Sequence, residues 1–363
     1  MASSSSSKPS SKIKPPRPRE AVERMAPYRP PTGARLGLER FDFNENTRGC
    51  SPKVVARLRE IATADFLSTY PEYEQARVKA GAFFGVGADQ LLFSDGTDEG
   101  IHVLLNTYAE AGDEVVIPEP SFPMYRFYTQ LAGAKPVAVA YGKPDLAFPL
   151  EGVLAAINEK TRAVLIANPN NPTGGAIGLD AVERILQSAS TAAVLIDEAY
   201  FEFFGVTALD LISRYRNLFV SRTFSKTYGL AGLRMGCVFS QPENIAAMRK
   251  GQSPYSVGSL SIACMLAAIE DPEYVRDYVA EVLGARKELC AALDDLGIGY
   301  WPSEANFVLA RFGDSAPKLI ADLRARSILV RDRGREIPGA VRITVGDRGQ
   351  TARLIEALRE VLR

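Results

Sequence analysis

Leu218-Phe-Val-Ser221-Arg-Thr223-Phe-Ser225-Lys226-Thr-Tyr-Gly229-Leu-Ala-Gly232-Leu-Arg234-Met-Gly236 is the stretch from which the rest of this 363-residue chain can be read. It begins as an apolar run, which reads as a short buried strand, and opens straight into hydroxyl residues around one lysine. Glycines at 229, 232 and 236 let the backbone turn sharply or approach another group closely. Lysine is ordinarily a solvated residue. At the mouth of a strand, with hydroxyls on both sides and Arg234 eight residues on, it makes a poor core element. The arrangement suits an amine that reacts with a carbonyl beside a phosphate.

Moving outward, the same kind of run recurs. Leu91-Leu-Phe, Glu114-Val-Val-Ile, Pro136-Val-Ala-Val, Ala163-Val-Leu-Ile, Ala193-Val-Leu-Ile, Leu218-Phe-Val and Met235-Gly-Cys-Val-Phe alternate with helical stretches. Such spacing predicts an α/β fold, a mostly parallel seven-stranded sheet covered by helices on both faces. Ligands then bind at the carboxyl ends of the strands. After residue 255 a long helical stretch and about three strand-like runs predict a smaller α+β domain. The expected division is a disordered Ser/Lys/Pro-rich tail (1–23), an arm joining the small domain (24–45), a large domain (46–255) and a small C-terminal domain (256–363). The tail expectation rests on seven serines and five basic residues before the first acid, Glu20, too little apolar surface to order a chain.

Composition excludes several classes. Forty-three basic residues balance 43 acidic ones, so nothing attracts the chain to nucleic acid or to an anionic membrane. No apolar stretch approaches the roughly 20 residues that cross a bilayer. Four scattered cysteines without a CxxC pair, and no secretory signal, read as reduced thiols in the cytoplasm. The only histidine, His102, leaves no multi-histidine metal site and no metal is expected.

Three more constellations follow strand ends. Gly96-Thr97-Asp98 leads from a strand into a helix, whose N-terminus can seat a phosphate or simply be capped. Asn168-Pro-Asn170-Asn171-Pro172-Thr-Gly174 makes a rigid turn that can hold an amide toward a ligand oxygen. Ala193-Val-Leu-Ile-Asp197-Glu198-Ala-Tyr200 ends an apolar strand on a carboxylate, which needs a cation or strong donors once buried. A protonated heteroaromatic nitrogen is one partner; magnesium is another, but the chain has no GxxxxGK[ST] to complete a nucleotide site.

In this order, NPNNPTG, DEAY and SxxFSKxxGLAGLRxG resemble the fold type I pyridoxal-phosphate aminotransferases of class I/II. Pro27-Tyr28, Phe43-Asn-Glu-Asn46, Tyr70-Pro-Glu, Asp95-Gly-Thr-Asp-Glu-Gly100, Ser303-Glu-Ala-Asn306-Phe, Val330-Arg331-Asp332 and Val341-Arg342-Ile-Thr-Val-Gly346 are similar to the histidinol-phosphate aminotransferase group within it. The resemblance implies pyridoxal 5'-phosphate as cofactor, carried by Lys226 as an internal aldimine. It implies that Asp197 pairs with the pyridinium nitrogen and that Tyr200 and Asn171 bond the ring oxygen. Ser225, Arg234 and Gly96-Thr97-Asp98 would hold the phosphate, with Thr223 nearby, and Phe122 would stack on the ring. Tyr70 would reach the neighbouring subunit's cofactor, making a homodimer. Arg342 and Arg331, with Tyr28 and Asn46, would bind substrate. The implied reaction is ping-pong amino transfer between histidinol phosphate and 2-oxoglutarate in histidine biosynthesis. An aromatic amino acid aminotransferase and a threonine-phosphate decarboxylase share the same cofactor motifs.

Overall fold

The computed structural model describes residues 14–27, 33 and 35–363. In chain order the strands are β1 (Glu39–Phe41), β2 (Leu91–Asp95), β3 (Glu114–Glu119), β4 (Lys135–Ala140), β5 (Thr161–Ala167), β6 (Ala193–Asp197), β7 (Leu218–Thr223), β8 (Met235–Phe239), β9 (Tyr300–Trp301), β10 (Phe307–Arg311), β11 (Ile328–Asp332) and β12 (Ala340–Thr344). The seven apolar runs become one seven-stranded sheet, ordered β2-β8-β7-β6-β5-β3-β4. Only β8 runs against its neighbours. Strands β6 and β7 are buried at every residue. That burial on both faces is why they read as unbroken apolar runs rather than as alternation.

Parallel pairing lines up the carboxyl ends. Ala167 lies opposite Asp197, and Asp197 opposite Ser221. The helix Gly96–Tyr108 starts from the end of β2 at the same edge. One edge of the sheet therefore gathers the polar residues that follow β2, β5, β6 and β7.

The second sheet has five strands, ordered β1-β11-β12-β10-β9, against about three expected. The additional ones are short. β1 comes from the arm and pairs in parallel with β11, and β9 is a two-residue strand beside β10. Neither is long enough to show a period. The boundary between lobes also differs from the expected residue 255. The helix Ser259–Ile269 buries Ile262, Cys264 and Met265 in the large-lobe core. Its sequence, SLSIACMLAAI, has no charged residue with which to face water, so it packs inside. The helix Pro272–Asp295 then supplies Tyr278, Val282, Leu289 and Leu293 to the small-lobe core.

At the other end, residues 14–19 are irregular and Glu20–Glu23 forms one helical turn, inside the segment expected to be a disordered tail. Arg19 donates to the carbonyl of Leu131, near the end of the helix Pro123–Ala132. A basic group at a helix C-terminus is favourable there. Residues 1–13 lie outside the described residues, as does Tyr28.

The lobes meet at several contacts. The Glu304 N–H donates to the Gly174 carbonyl at 2.8 Å. The indole N–H of Trp301 and the guanidinium of Arg311 both donate to the Pro144 carbonyl at 3.1 Å, and Arg311 lies 4.0 Å above the Trp301 ring.

Candidate active site

The carboxyl edge of the large sheet opens into a cavity of about 340 Å³. Lys226 enters it from the loop after β7, and its Nζ donates to the carbonyl of Phe43 at 2.8 Å. Burial, helped by the nearby Arg342 guanidinium, pushes the amine down to about 8. Among the described residues no carboxylate forms an ion pair with it.

Asp197, at the end of β6, lines the same cavity. Its oxygens accept from the hydroxyls of Tyr125 (2.8 Å) and Ser221 (2.9 Å), and no cation pairs with it among the described residues. Burial raises the carboxyl above the usual range although both bonds favour the anion. The adjacent Glu198 faces away. It forms a buried pair with Arg222 at 2.7 Å, inside the scaffold. Tyr200 is buried yet lines the cavity, and its hydroxyl oxygen accepts from Asn44 Nδ2 at 2.9 Å.

At the start of the helix Gly96–Tyr108 the side chain of the N-cap residue, Asp95, makes no cap bond, and neither Thr97 nor Asp98 closes the terminus; Glu99 accepts only from the Asp95 N–H, at 2.6 Å. Thr97 and Asp98 line the cavity with Thr223, Ser225 and Arg234. Arg234 is paired to Asp98 at 3.1 Å and its guanidinium lies against Gly96. A Cβ at Gly96 would overlap that guanidinium, and one at Gly236 would come within 2.7 Å of the Gly96–Thr97 backbone. Glycine at 236 thus lets β8 approach the helix start, while Gly232 has open space around it.

Arg342 is buried behind the lining residue Asn171 and is not itself part of the lining. It donates to Asn171 Oδ1 and to the Asp42 carbonyl (2.6 Å), while its Nε has no partner. Burial lowers it to about 10. With its oxygen held by Arg342, Asn171 has its amide N–H groups left for the cavity it lines. Phe122 lies on the cavity wall, edge-on to Tyr125.

Five described residues of the sequence reading lie outside the cavity lining: Gly96 and Arg342, already placed, and Arg331, Asn46 and Tyr70. Arg331 sits over the Phe43 ring at 5.5 Å. Asn46 is buried with both ends of its amide engaged: Nδ2 donates to the Thr227 carbonyl, and Oδ1 accepts from the Arg48 and Gly49 N–H groups. Tyr70 is 74% exposed, stacked on Tyr255, and borders a separate groove of about 770 Å³.

Sequence reasoning missed four participants. Tyr125 grips Asp197 from 72 positions away, and Asn44 reaches Tyr200 across 156. Arg35 and Glu45, ion-paired at 2.9 Å, line the cavity mouth. The DFNEN run at 42–46 was the available signal, since it packs polar residues immediately behind a strand.

Comparison with known proteins gives the family. The profile of the family described as aminotransferase class I and II matches residues 35–358. A histidinol-phosphate aminotransferase of Roseobacter denitrificans is 39% identical over 88% of this chain and 90% of its own. One of Symbiobacterium thermophilum is 38% identical over 95% and 98%. The crystal structure of histidinol-phosphate aminotransferase from Sinorhizobium meliloti, in complex with pyridoxal-5'-phosphate, superposes with a TM-score of 0.86. It covers 96% of this chain and 98% of its own; at 24% identity that likeness is one of fold.

Proposed function

The chain belongs to the class I and II aminotransferases, and from that membership we propose that it moves an amino group between histidinol phosphate and 2-oxoglutarate. Its cofactor is pyridoxal phosphate. One observation carries the reading: Asp197, a buried carboxylate with no cation paired to it among the described residues, shares a cavity with the Lys226 amine, which forms no ion pair among them either. A cofactor with a basic ring nitrogen and an aldehyde satisfies both.

The residues present fit that group. Asp197 would hold a proton on the ring nitrogen. Tyr200 and the Asn171 amide would donate to the ring oxygen, and Phe122 would cover one face. The uncapped N–H groups of Thr97 and Asp98 would hold the phosphate with Ser225 and Arg234, Thr223 standing beside them, whereas the Gly96 N–H of the sequence reading is taken by the Arg234 carbonyl at 2.9 Å. When bound, pyridoxal phosphate supplies a conjugated ring that accepts the electron pair of a breaking Cα–H bond.

Lys226 then takes the proton from the substrate Cα. Its depressed basicity leaves a usable fraction of free amine near neutrality, and proton transfer of this kind contributes roughly 10²–10⁴-fold. The Phe43 carbonyl fixes where Nζ waits. Arg342 makes two hydrogen bonds inside the chain, which leaves Nε–H and one N–H on each terminal nitrogen. That is a fork for the carboxylate of glutamate. Arg331, with Tyr28, would hold the phosphate of the phosphorylated donor. Asn46 serves the site by tying the arm to the lysine loop. The working unit is a homodimer in which Tyr70 reaches the other subunit's cofactor, and four unpaired cysteines accord with a cytoplasmic setting.

The test is a pair of half-reactions on the cofactor-loaded enzyme. Glutamate, and separately histidinol phosphate, should each convert the resting visible band to that of the aminated cofactor. Preference for phenylalanine over histidinol phosphate would make it an aromatic aminotransferase. Carbon dioxide from threonine phosphate, with no response to glutamate, would make it a decarboxylase.

A further inference from the structure

The Tyr200 hydroxyl accepts from Asn44 Nδ2, and among the described residues its own proton has no acceptor. The direction of that bond is set one step further back. Thr344 is fully buried; its Oγ1 accepts from the Asn44 backbone N–H and donates its single proton to Asn44 Oδ1, both at 3.0 Å. With Oδ1 engaged by a donor, the NH₂ end of the amide is the one that faces Tyr200. Asn44 is itself held: it is 1% exposed and its carbonyl accepts from Asn306 Nδ2 at 3.1 Å. A phenol beside an acceptor could turn its proton either way. Beside a pure donor it can only turn toward the cavity.

We propose that Asn44 is a positioning residue: it aims the Tyr200 proton into the cavity, onto the cofactor's ring oxygen, and Thr344 sets the polarity of this chain of hydrogen bonds. The inference rests on Tyr200 being a donor to the cofactor. Asp197, Arg342 and Arg333 are the charged groups around Tyr200, and they stay in place in every variant below.

The readout is the pH midpoint of the cofactor's visible band in the loaded enzyme. A donor to an anionic ring oxygen favours the unprotonated form and lowers that midpoint. Tyr200→Phe should raise it by about one unit, the scale of one hydrogen bond. Asn44→Asp keeps the side-chain shape and suits the backbone, which is left-handed at φ +57°. It replaces the NH₂ donor by an acceptor, so the Tyr200 proton turns away from the cavity. The new charge raises the midpoint as well, so the change is measured in both backgrounds. We expect a clearly larger rise with Tyr200 present than in the Tyr200→Phe background; equal rises overturn the inference.

Thr344→Val adds no charge and gives an independent measurement if Asn44→Asp does not fold. It should raise the midpoint with Tyr200 present and leave it unmoved in the Tyr200→Phe background; no movement in either overturns the role given to Asn44 and Thr344. A midpoint untouched by Tyr200→Phe alone would instead remove the reading of Tyr200 as a donor, and the inference with it.

Discussion

At the scale of single residues, the amine of Lys226 stands near 8 because it is buried and faces Arg342. Its capture of a carbonyl needs the unprotonated form. The rate at which cofactor-free enzyme takes up pyridoxal phosphate should therefore rise with pH through about 8 and then level off. Arg342→Gln removes a cation that disfavours the charged amine, so it should move that midpoint upward; a downward move would contradict the electrostatic account. Asp197→Asn removes the charge that would keep a proton on the ring nitrogen. Turnover should fall by roughly 10²–10³-fold, while unchanged far-ultraviolet dichroism shows the fold intact. Arg331→Ala should raise KM for histidinol phosphate much more than for glutamate. Equal increases would take Arg331 out of phosphate binding.

Among the structural elements, the strip Asp42–Asn46 behind β1 does the most joining. Within five residues it bonds Arg342, Lys226, Tyr200 and the Thr227 carbonyl. The loop it touches is packed just as closely. Gly229 has φ +72°, and a Cβ there would come within 2.6–2.8 Å of the Gly49–Cys50 backbone. Gly229→Ala should cost about 1–3 kcal/mol, seen as a lower Tm, and should weaken cofactor retention because the displaced loop carries Lys226. A Tm within experimental error of the parent would show that the loop gives way freely.

The same elements show what the sequence reveals and what it hides. The central strands were legible because two-sided burial leaves unbroken apolar runs, and polar residues such as Lys226 and Asp197 stand out at their ends; the edge strand β4 has no buried residue and was legible from its Pro-Val-Ala-Val composition alone. β1 and β9 span three and two residues and leave no period to detect. Phe43 serves the site through its carbonyl, which no side chain advertises. Tyr125 and Asn44 meet their partners only through long-range folding, and an isolated Tyr or Asn reads no differently from any other.

At the scale of the whole molecule, Tyr70 is the residue whose burial and assigned role disagree most within one chain. It is 74% exposed and touches Tyr255 at a centroid distance of 4.6 Å. Surface substitutions of this kind change stability by about 0.5 kcal/mol or less. Tyr70→Ala should leave the Tm of the cofactor-free enzyme nearly unchanged, yet weaken its affinity for pyridoxal phosphate, as the proposed placement of the ring in the partner's site requires. Unaltered affinity would end the cross-subunit role. The seam within each chain carries its own gauge. Trp301 is the only tryptophan, and its indole N–H crosses from the small lobe to the Pro144 carbonyl of the large one. Its fluorescence therefore senses whether the lobes hinge when substrate arrives. A shift in emission on adding glutamate, abolished by Trp301→Phe, would time that motion against turnover; steady emission would mean that chemistry proceeds with the seam closed throughout.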